Sequence, residues 1–452
     1  MTGSSVVRAG IDGLRAVVKG EVLVAGDAAY QVVSRTLNVV GRPAVVVRCA
    51  GAEDIAAALR YAGEYRLPVA VRSGGHHPAG FGTNDGGVVI DVGLLDEVTV
   101  LPGGDGRVVR VGTGATWGRV AGELAGAGLA ISSGDTAGVG VGGLLGGGGI
   151  GWMVRRLGLA LDSVVAAEVV TADGVARRLD AVNEPELFWG VRGAAGSLGV
   201  VTSYDVVADR QPTVLFGNLL FPWTQLEQVL TGWAAYMADA PVELSSSVQL
   251  PPTMVADRQA PIAVMVCVSG ELGDAGRLLA PLRSLGTLLT DTVTEVPYGD
   301  ILTTEQMPPG WTPRMRNGLF ERWVPELVEQ LADARRRMPA MAVDVRALGG
   351  AYGAVAPEAT AFAHREAGFM VNGVLLGSTE LHGGQIDEFE ELWAALAPEA
   401  AYGNFLSHPT AGDLDRCFPK AHRDRLAALK DRFDPTGVFG TALTVPPTEH
   451  VA

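Results

Sequence analysis

Leu67-Pro-Val-Ala-Val-Arg72-Ser-Gly-Gly-His-His77 runs from a short apolar strand into a loop of paired glycines and paired histidines. A glycine loop at a strand end offers main-chain N–H groups with no side chain in the way. Such nests hold a pyrophosphate without much positive charge. The cluster continues to Gly86-Gly87, and a second one spans residues 134–151. Single glycines make tight turns; two separate clusters, each after a strand, read as a ligand cradle.

Around this loop the first two hundred residues alternate strands and helices. Pro43 to Cys49 is a β-branched run, and a helix from about Asp54 carries Ile55, Leu59 and Ala62 on one face. Val88 to Val92 is another buried strand, a hairpin turns around Gly103–Gly106, and Thr116 opens a helix to about Ala127. Val164–Thr171 and Val175–Leu179 pair across Asp173-Gly174, a turn signal. Leu198 to Val207 is a further strand. The strands are too short and too often hairpinned for a plain doubly wound sheet, so the reading is α+β. Beyond about residue 208, strands at Ile262–Val268, Met341–Ala347 and Phe369–Leu376 alternate with helices at Leu226–Met237 and Asp387–Leu396. That pattern predicts a second sheet covered by helices on one face. A basic helix, Lys420 to Arg432, stops at Asp434-Pro435.

The chain has 452 residues, 48% hydrophobic and 19% charged, which suits a folded protein of two or three domains. Its 61 glycines are about double ordinary usage of ~7%. A net charge of −15 argues against nucleic acid and anionic membrane as partners. Thr136 to Val154 is 19 residues without a charge, but nine are glycine, so it reads as a loop rather than a membrane span. Cys49, Cys267 and Cys417 stand far apart, and the N-terminus has no apolar signal core. A cytoplasmic location is the expectation.

Gly138-Val-Gly140-Val-Gly142-Gly143 fits G-x-G-x-x-G, but turn formers precede it and Gly146–Gly149 are expected to spoil a following helix, so a Rossmann site is rejected. Walker A is absent. His76 and His77 read either as structural hydrogen-bonders or as functional groups. The other histidines (His364, His382, His408, His422, His450) are scattered, and no metal site is expected.

Arg72-Ser-Gly-Gly-His76, Gly86-Gly-Val-Val-Ile-Asp91, the run Gly138–Gly151 and Arg156-x-Gly158-x-x-x-Asp162 resemble the berberine-bridge-enzyme-like FAD-linked oxidases of the vanillyl-alcohol-oxidase (PCMH-type) superfamily. Further matches run in family order: Glu186-Leu-Phe-Trp-Gly190-Val-Arg192-Gly193, Gly199-Val-Val-Thr202, Tyr402-Gly-Asn404-Phe405, and Lys430 with Asp434-Pro435 and Phe439. The resemblance implies a two-part FAD domain, residues 1–206 and 405–452, with a substrate domain inserted at 207–404. It implies FAD bonded through the His76 imidazole to the flavin 8α carbon. The implied cofactor contacts are Arg72, Ser73, Gly74, Gly75, His76, His77, Gly80, Gly134, Thr136, Val139, Gly140, Gly142, Gly143, Gly147, Gly149, Gly199, Val200 and Asn404. A small organic or natural-product substrate and O₂ would be the partners.

Three departures bear on the chemistry. Thr136 stands where many members have a cysteine that makes a second flavin bond, so a single link is expected. Phe405 replaces the tyrosine that serves as general base in Y-x-N-Y, although Tyr402 remains. Ala442-Leu443-Thr444 occupies the place of family asparagines near the flavin. Asp344, in Val343-Asp-Val-Arg346, is the substitute base that the resemblance to polyketide-tailoring members suggests; an ordinary ion pair with Arg346 is the alternative. Three functions follow: an oxidase passing hydride to flavin and electrons to O₂, an oxygenase or oxidative cyclase of secondary metabolism, or a non-redox site with flavin as a prop.

Overall fold

Among the described residues, three sheets of four, five and eight strands build the chain, with a two-stranded ladder of Asp209–Arg210 against Leu129–Ala130 beside them. The computed structural model describes residues 3–448 except Gly104, 254–258, 305–310, 378–383 and Ala442; His382, His450 and Ala442 therefore lie outside the described residues. In the first sheet Val45–Arg48, Val88–Asp91 and Val69–Arg72 run parallel, with Glu21–Leu23 antiparallel at one edge. Parallel strands are covered on both faces and read as continuous apolar runs. Helix Ala52–Tyr65 covers one face, packing Ile55, Leu59 and Ala62 against Val45, Val47, Val88 and Ile90.

The second sheet is antiparallel, in the order Val98–Val100, Val108–Gly112, Val200–Val207, Val164–Val170, Ala176–Leu179. Its last hairpin closes over Asp173-Gly174, where Gly174 takes φ +77°. The chain returns to this body at its end. Leu426, Leu429 and Phe433 of helix Lys420–Phe433 share a core with Val109, Leu187 and Tyr204. Buried Lys430 Nζ pairs with Asp434 at 2.7 Å and donates to the carbonyls of Ser197 and Phe439.

The third sheet is antiparallel and eight-stranded, with Thr213–Phe221, Ile262–Val268, Leu244–Leu250, Met341–Ala347, Phe369–Leu375 and Arg314–Phe320 adjacent in that order. Helices Leu226–Ala238, Ala275–Arg283, Pro325–Arg337 and Gln385–Leu396 cover one face over an apolar core that includes Val248, Val264, Val343, Val345 and Val371. Period-two alternation puts Gln249, Asp344, Arg346 and Asn372 on the other face. That face looks toward the glycine loops. Among the described residues no helix is long and apolar enough to cross a membrane.

One expectation is corrected. Val141–Gly147 forms a short helix despite Gly146–Gly147. Its first N–H groups, on Val141 and Gly142, donate to the carbonyls of Ala115 and Thr113, and Val141, Leu144 and Leu145 are buried. Tertiary contacts offset the roughly 0.8–1 kcal/mol that each glycine costs a helix.

Arg365 joins the third sheet's region to the glycine-loop region. It is 1% exposed and grips Asp162 through two hydrogen bonds of 2.7 and 2.8 Å. Removing one member of such a pair leaves the other buried and unpaired, at a cost of about 3–5 kcal/mol. Arg365→Ala is therefore expected to lower the melting temperature sharply, and Arg365→Lys, which lacks the planar fork, to restore little of it.

Candidate functional site

The loop after Val69–Arg72 and the loop before helix Val141–Gly147 touch main chain to main chain. A Cβ on Gly74 would stand 2.4 Å from the Gly140 nitrogen, and one on Gly140 would stand 2.2 Å from the Gly74 nitrogen. No side chain fits at either place. Among the described residues the N–H groups of Gly74 and Gly75 donate to no protein acceptor. Beside them opens a cavity of about 330 Å³. A cavity edged by main-chain N–H groups without protein partners suits a ligand with anionic oxygens.

This cavity brings together Ser73, Gly74, Gly75, His76, His77, Gly134, Val139, Gly140, Gly142, Gly143, Gly147, Gly199, Tyr402 and Asn404. Arg72, Gly80, Gly149 and Val200 lie behind the lining. Arg72 instead binds Asp91 at 2.7 Å, Gly80 turns at φ +73° against Val39, and Gly149 donates to the Tyr402 hydroxyl. Val200 packs in the core shared with the first sheet. Two further lining segments were matched to the family in sequence but not named as cofactor contacts. Gly193–Ser197 ends a helix kinked at Gly193 (φ +128°), and Phe439, Thr441, Leu443 and Thr444 come from the chain's last residues. The small-residue run Gly193-Ala-Ala-Gly-Ser197 was the available signal for the first.

The two histidines differ in role. His76 lines the cavity, and a Cβ on Gly138 would come within 2.8 Å of its Nε2. Burial, then the charge of Arg72, pushes its imidazole below the ordinary range, so it is neutral at physiological pH. His77 stacks on Phe81 with ring centroids 4.3 Å apart. Its Nδ1 accepts from the Ala79 N–H, so its Nε2–H donates to the Gly403 carbonyl at 3.2 Å. His77 thus ties the first glycine loop to the chain's return segment.

Opposite the loops, Tyr402 is 2% exposed, and its hydroxyl accepts from Gly149 N–H and from Asn404 Nδ2 at 2.9 and 3.0 Å. Burial raises its pKa, with those two donors opposing. The segment is held by Asn317, which sequence reasoning did not single out. Its Nδ2 donates to the carbonyls of Tyr402 and Phe405, and its Oδ1 accepts from Tyr402 N–H at 2.7 Å. No local signal marks Asn317, because its partners come from about 85 residues away.

A second cavity, about 390 Å³, lies between the glycine loop and the third sheet, lined by Asp135, Thr136, Trp152, Gln249, Met265, Thr303 and Thr304. Thr136 belongs to this one. Asp135 lines both cavities. Arg346 stands between them. Its Nε donates to Asp344 at 2.5 Å, its terminal nitrogen pairs with Asp135, and its guanidinium lies 5.6 Å from the Phe405 ring centroid. The Asp344–Arg346 ion pair thus forms. Burial lifts the Asp344 carboxyl above its ordinary range, Arg346 opposes this and Asp135 adds to it. Burial acts on Asp135 too, but Arg346 holds that carboxyl below the ordinary range. Two carboxyls sharing one guanidinium are pushed apart, one to stay ionised and one able to take a proton.

Comparison with known proteins gives this geometry a context. The family described as "FAD binding domain" matches residues 43–180. A (R)-6-hydroxynicotine oxidase of Paenarthrobacter nicotinovorans is 33% identical over 63% of this chain and 62% of its own length, so the match spans under two thirds of that relative. An uncharacterized FAD-linked oxidoreductase of Bacillus subtilis is 30% identical over 90% of this chain and 91% of its own. Among solved structures, 6-hydroxy-D-nicotine oxidase from Arthrobacter nicotinovorans superposes with a TM-score of 0.84 at 28% identity, covering 95% of this chain and 98% of that one. Glucooligosaccharide oxidase from Acremonium strictum, described with a 6-S-cysteinyl, 8α-N1-histidyl FAD, gives 0.84 at 21%, covering 98% and 100%.

His77 carries a pH signature. Burial lowers its pKa from 6.5 to about 4, with the Gly403 bond opposing. Between those values the unfolded chain binds the proton and the folded chain does not, so this contribution to stability is complete above pH 6.5 and falls as pH drops toward 4. The melting temperature is expected to fall more steeply across this window in the native chain than in His77→Phe.

Proposed function

The chain belongs to the berberine-bridge-enzyme-like FAD-linked oxidoreductases, PCMH-type FAD proteins, and from that premise we propose that it is an oxidase whose FAD is linked once, through His76. The observation that carries the reading is the glycine cradle with a neutral imidazole at its edge: Gly74 and Gly140 in main-chain contact, N–H groups without protein acceptors beside them, and His76 close against Gly138, where a Cβ would strike it. The adenine-dinucleotide part suits the cavity about Gly74, Gly75 and Gly140. A neutral imidazole keeps the nitrogen lone pair that a bond to the flavin 8α carbon requires. Thr136 has no thiol, which supports one link rather than two. Residues 1–206 and 405–452 would form the FAD part and 207–404 the substrate part; the core shared by Val109 and Leu426 supports that grouping. Three buried, separate thiols suit a cytoplasmic location.

Bound FAD supplies the two-electron acceptor for a substrate C–H bond, with O₂ as terminal oxidant and H₂O₂ as product. The protein's share is position and proton handling. The cavity of about 390 Å³ between Thr136 and the sheet would take the substrate. Asp344 is the base in this reading: Arg346 holds its Oδ2, its in-register neighbour Gln249 lines that cavity, and its raised pKa matches the task. Phe405 cannot accept a proton, and Tyr402, with both lone pairs engaged, orients Asn404 and the Gly149 turn. The Phe405 position also favours a second reading, oxygen transfer or oxidative cyclisation in secondary metabolism.

Acid precipitation of the purified protein is expected to keep the yellow colour in the pellet, and His76→Ala to release it to the supernatant. Colour released from the native chain would remove the covalent link. For a substrate that turns over, peroxide without labelled oxygen in the product supports the oxidase; labelled product supports the second reading. The rate of flavin bleaching under single turnover is expected to rise with pH through the Asp344 titration, because the ionised carboxylate is the active form. Asp344→Asn should lose this step by about 10²–10⁴-fold together with its pH dependence.

A further inference from the structure

In strand Leu244–Leu250 every residue is buried except Gln249, and in Ile262–Val268 every residue is buried except Met265. The two strands pair, and both residues line the cavity of about 390 Å³. The third sheet therefore meets that space through one amide and one thioether. Among the described residues the Gln249 side chain has no hydrogen-bond partner, and neither has the Thr304 hydroxyl, which lines the same cavity.

The other polar groups of the wall are spent on one another. Thr136 Oγ1 donates to Asp135 Oδ1 at 3.2 Å, and Thr303 Oγ1 donates to the Asp135 carbonyl at 2.9 Å. Asp135 is the one charged residue of the described lining, and Arg346 already pairs with its Oδ2. Trp152 packs edge to face with Phe216, ring centroids 5.1 Å apart. Its indole nitrogen is buried, so it gives the cavity ring carbon.

What the wall leaves unspent is neutral and works in both directions. The Gln249 amide has two N–H donors and a carbonyl acceptor, and a threonine hydroxyl does either. An ammonium has donors alone and leaves the Gln249 N–H groups unmet. A carboxylate has acceptors alone and would face Asp135. A hydroxyl donates and accepts, and it adds no charge to a lining whose own charge is paired.

We propose that Gln249 is a specificity-determining residue that reads a substrate hydroxyl, so that the substrate is a neutral molecule with more than one hydroxyl. One is held by Gln249 and another is oxidised. The inference deepens the oxidase reading and rests on its assignment of this cavity to the substrate. Oxidation turns the reacting carbinol into a carbonyl and passes two electrons and two protons to O₂, giving H₂O₂. Trp152 and Met265 take the carbon skeleton. Gln249 pairs in register with Asp344, and such pairs hold their Cβ atoms about 4.5–5.5 Å apart, so the hydroxyl it grips anchors the substrate beside the base of that reading.

The test is calorimetric titration of the purified holoenzyme with three probes that share a six-membered ring: trans-cyclohexane-1,2-diol, cyclohexanol and cyclohexylamine. Flavin content is read separately from visible absorbance. The diol is expected to bind about tenfold tighter than either of the others, because a site built to bond a hydroxyl rejects the analogue that leaves its polar group unpaired. Gln249→Leu should bring the diol down to the level of cyclohexanol and leave cyclohexanol and the melting temperature unchanged, since the amide holds nothing in the protein. No binding of the diol, a diol no tighter than cyclohexanol, cyclohexylamine tighter than the diol, or a diol preference kept in Gln249→Leu would overturn the assignment, and the first three need no variant. A protein that purifies without flavin would instead contradict the oxidase reading, and the probe series still decides the role of Gln249.

Discussion

The main-chain contact between Gly74 and Gly140 is the constraint from which the rest of the site follows. Two loops from distant parts of the chain approach until a single Cβ on either would strike the other's backbone. Beside this contact a Cβ on Gly138 would strike His76, the N–H groups of Gly74 and Gly75 have no protein acceptor among the described residues, and the helix Val141–Gly147 begins. Glycine is used here for close approach: neither Gly74 nor Gly140 needs a positive φ.

Around this cradle, long-range polar bonds fix the groups that face it. Asn317 clamps Tyr402–Phe405 from the third sheet, His77 ties the first loop to Gly403, and Lys430 holds Ser197 and Phe439 from below. The Asn317–Tyr402 and Lys430 bonds are buried and the His77 bond partly so, which makes each costly if left half made. The catalytic proposal depends on this rigidity, since Arg346 holds the base in place by one oxygen.

Where the local pattern was strong the sequence was readable almost to the residue. Ile262–Val268 and Met341–Ala347 have the expected bounds because uninterrupted apolar or alternating runs admit no other period. The Asp173-Gly174 hairpin formed as its turn chemistry required. The glycine helix was misread because its propensity is poor and its support comes from Ala115 and Thr113. Asn317 carried no signal, being an ordinary polar residue in a strand until its distant partners are known.

The amino-acid sequence by itself determined that this chain folds as α+β with glycine loops after strands and with His76 in one of them; the family resemblance added that Phe405 leaves a base to be found. Those are properties of residue type and spacing, which act over a few residues. Only the tertiary structure decided which glycines touch, which expected contacts stand behind the lining, and that Asp344 shares Arg346 with Asp135. Pairing charges and leaving acceptors unpaired are matters of distance between segments far apart in the chain. Local pattern does not encode that distance; strand register and packing do.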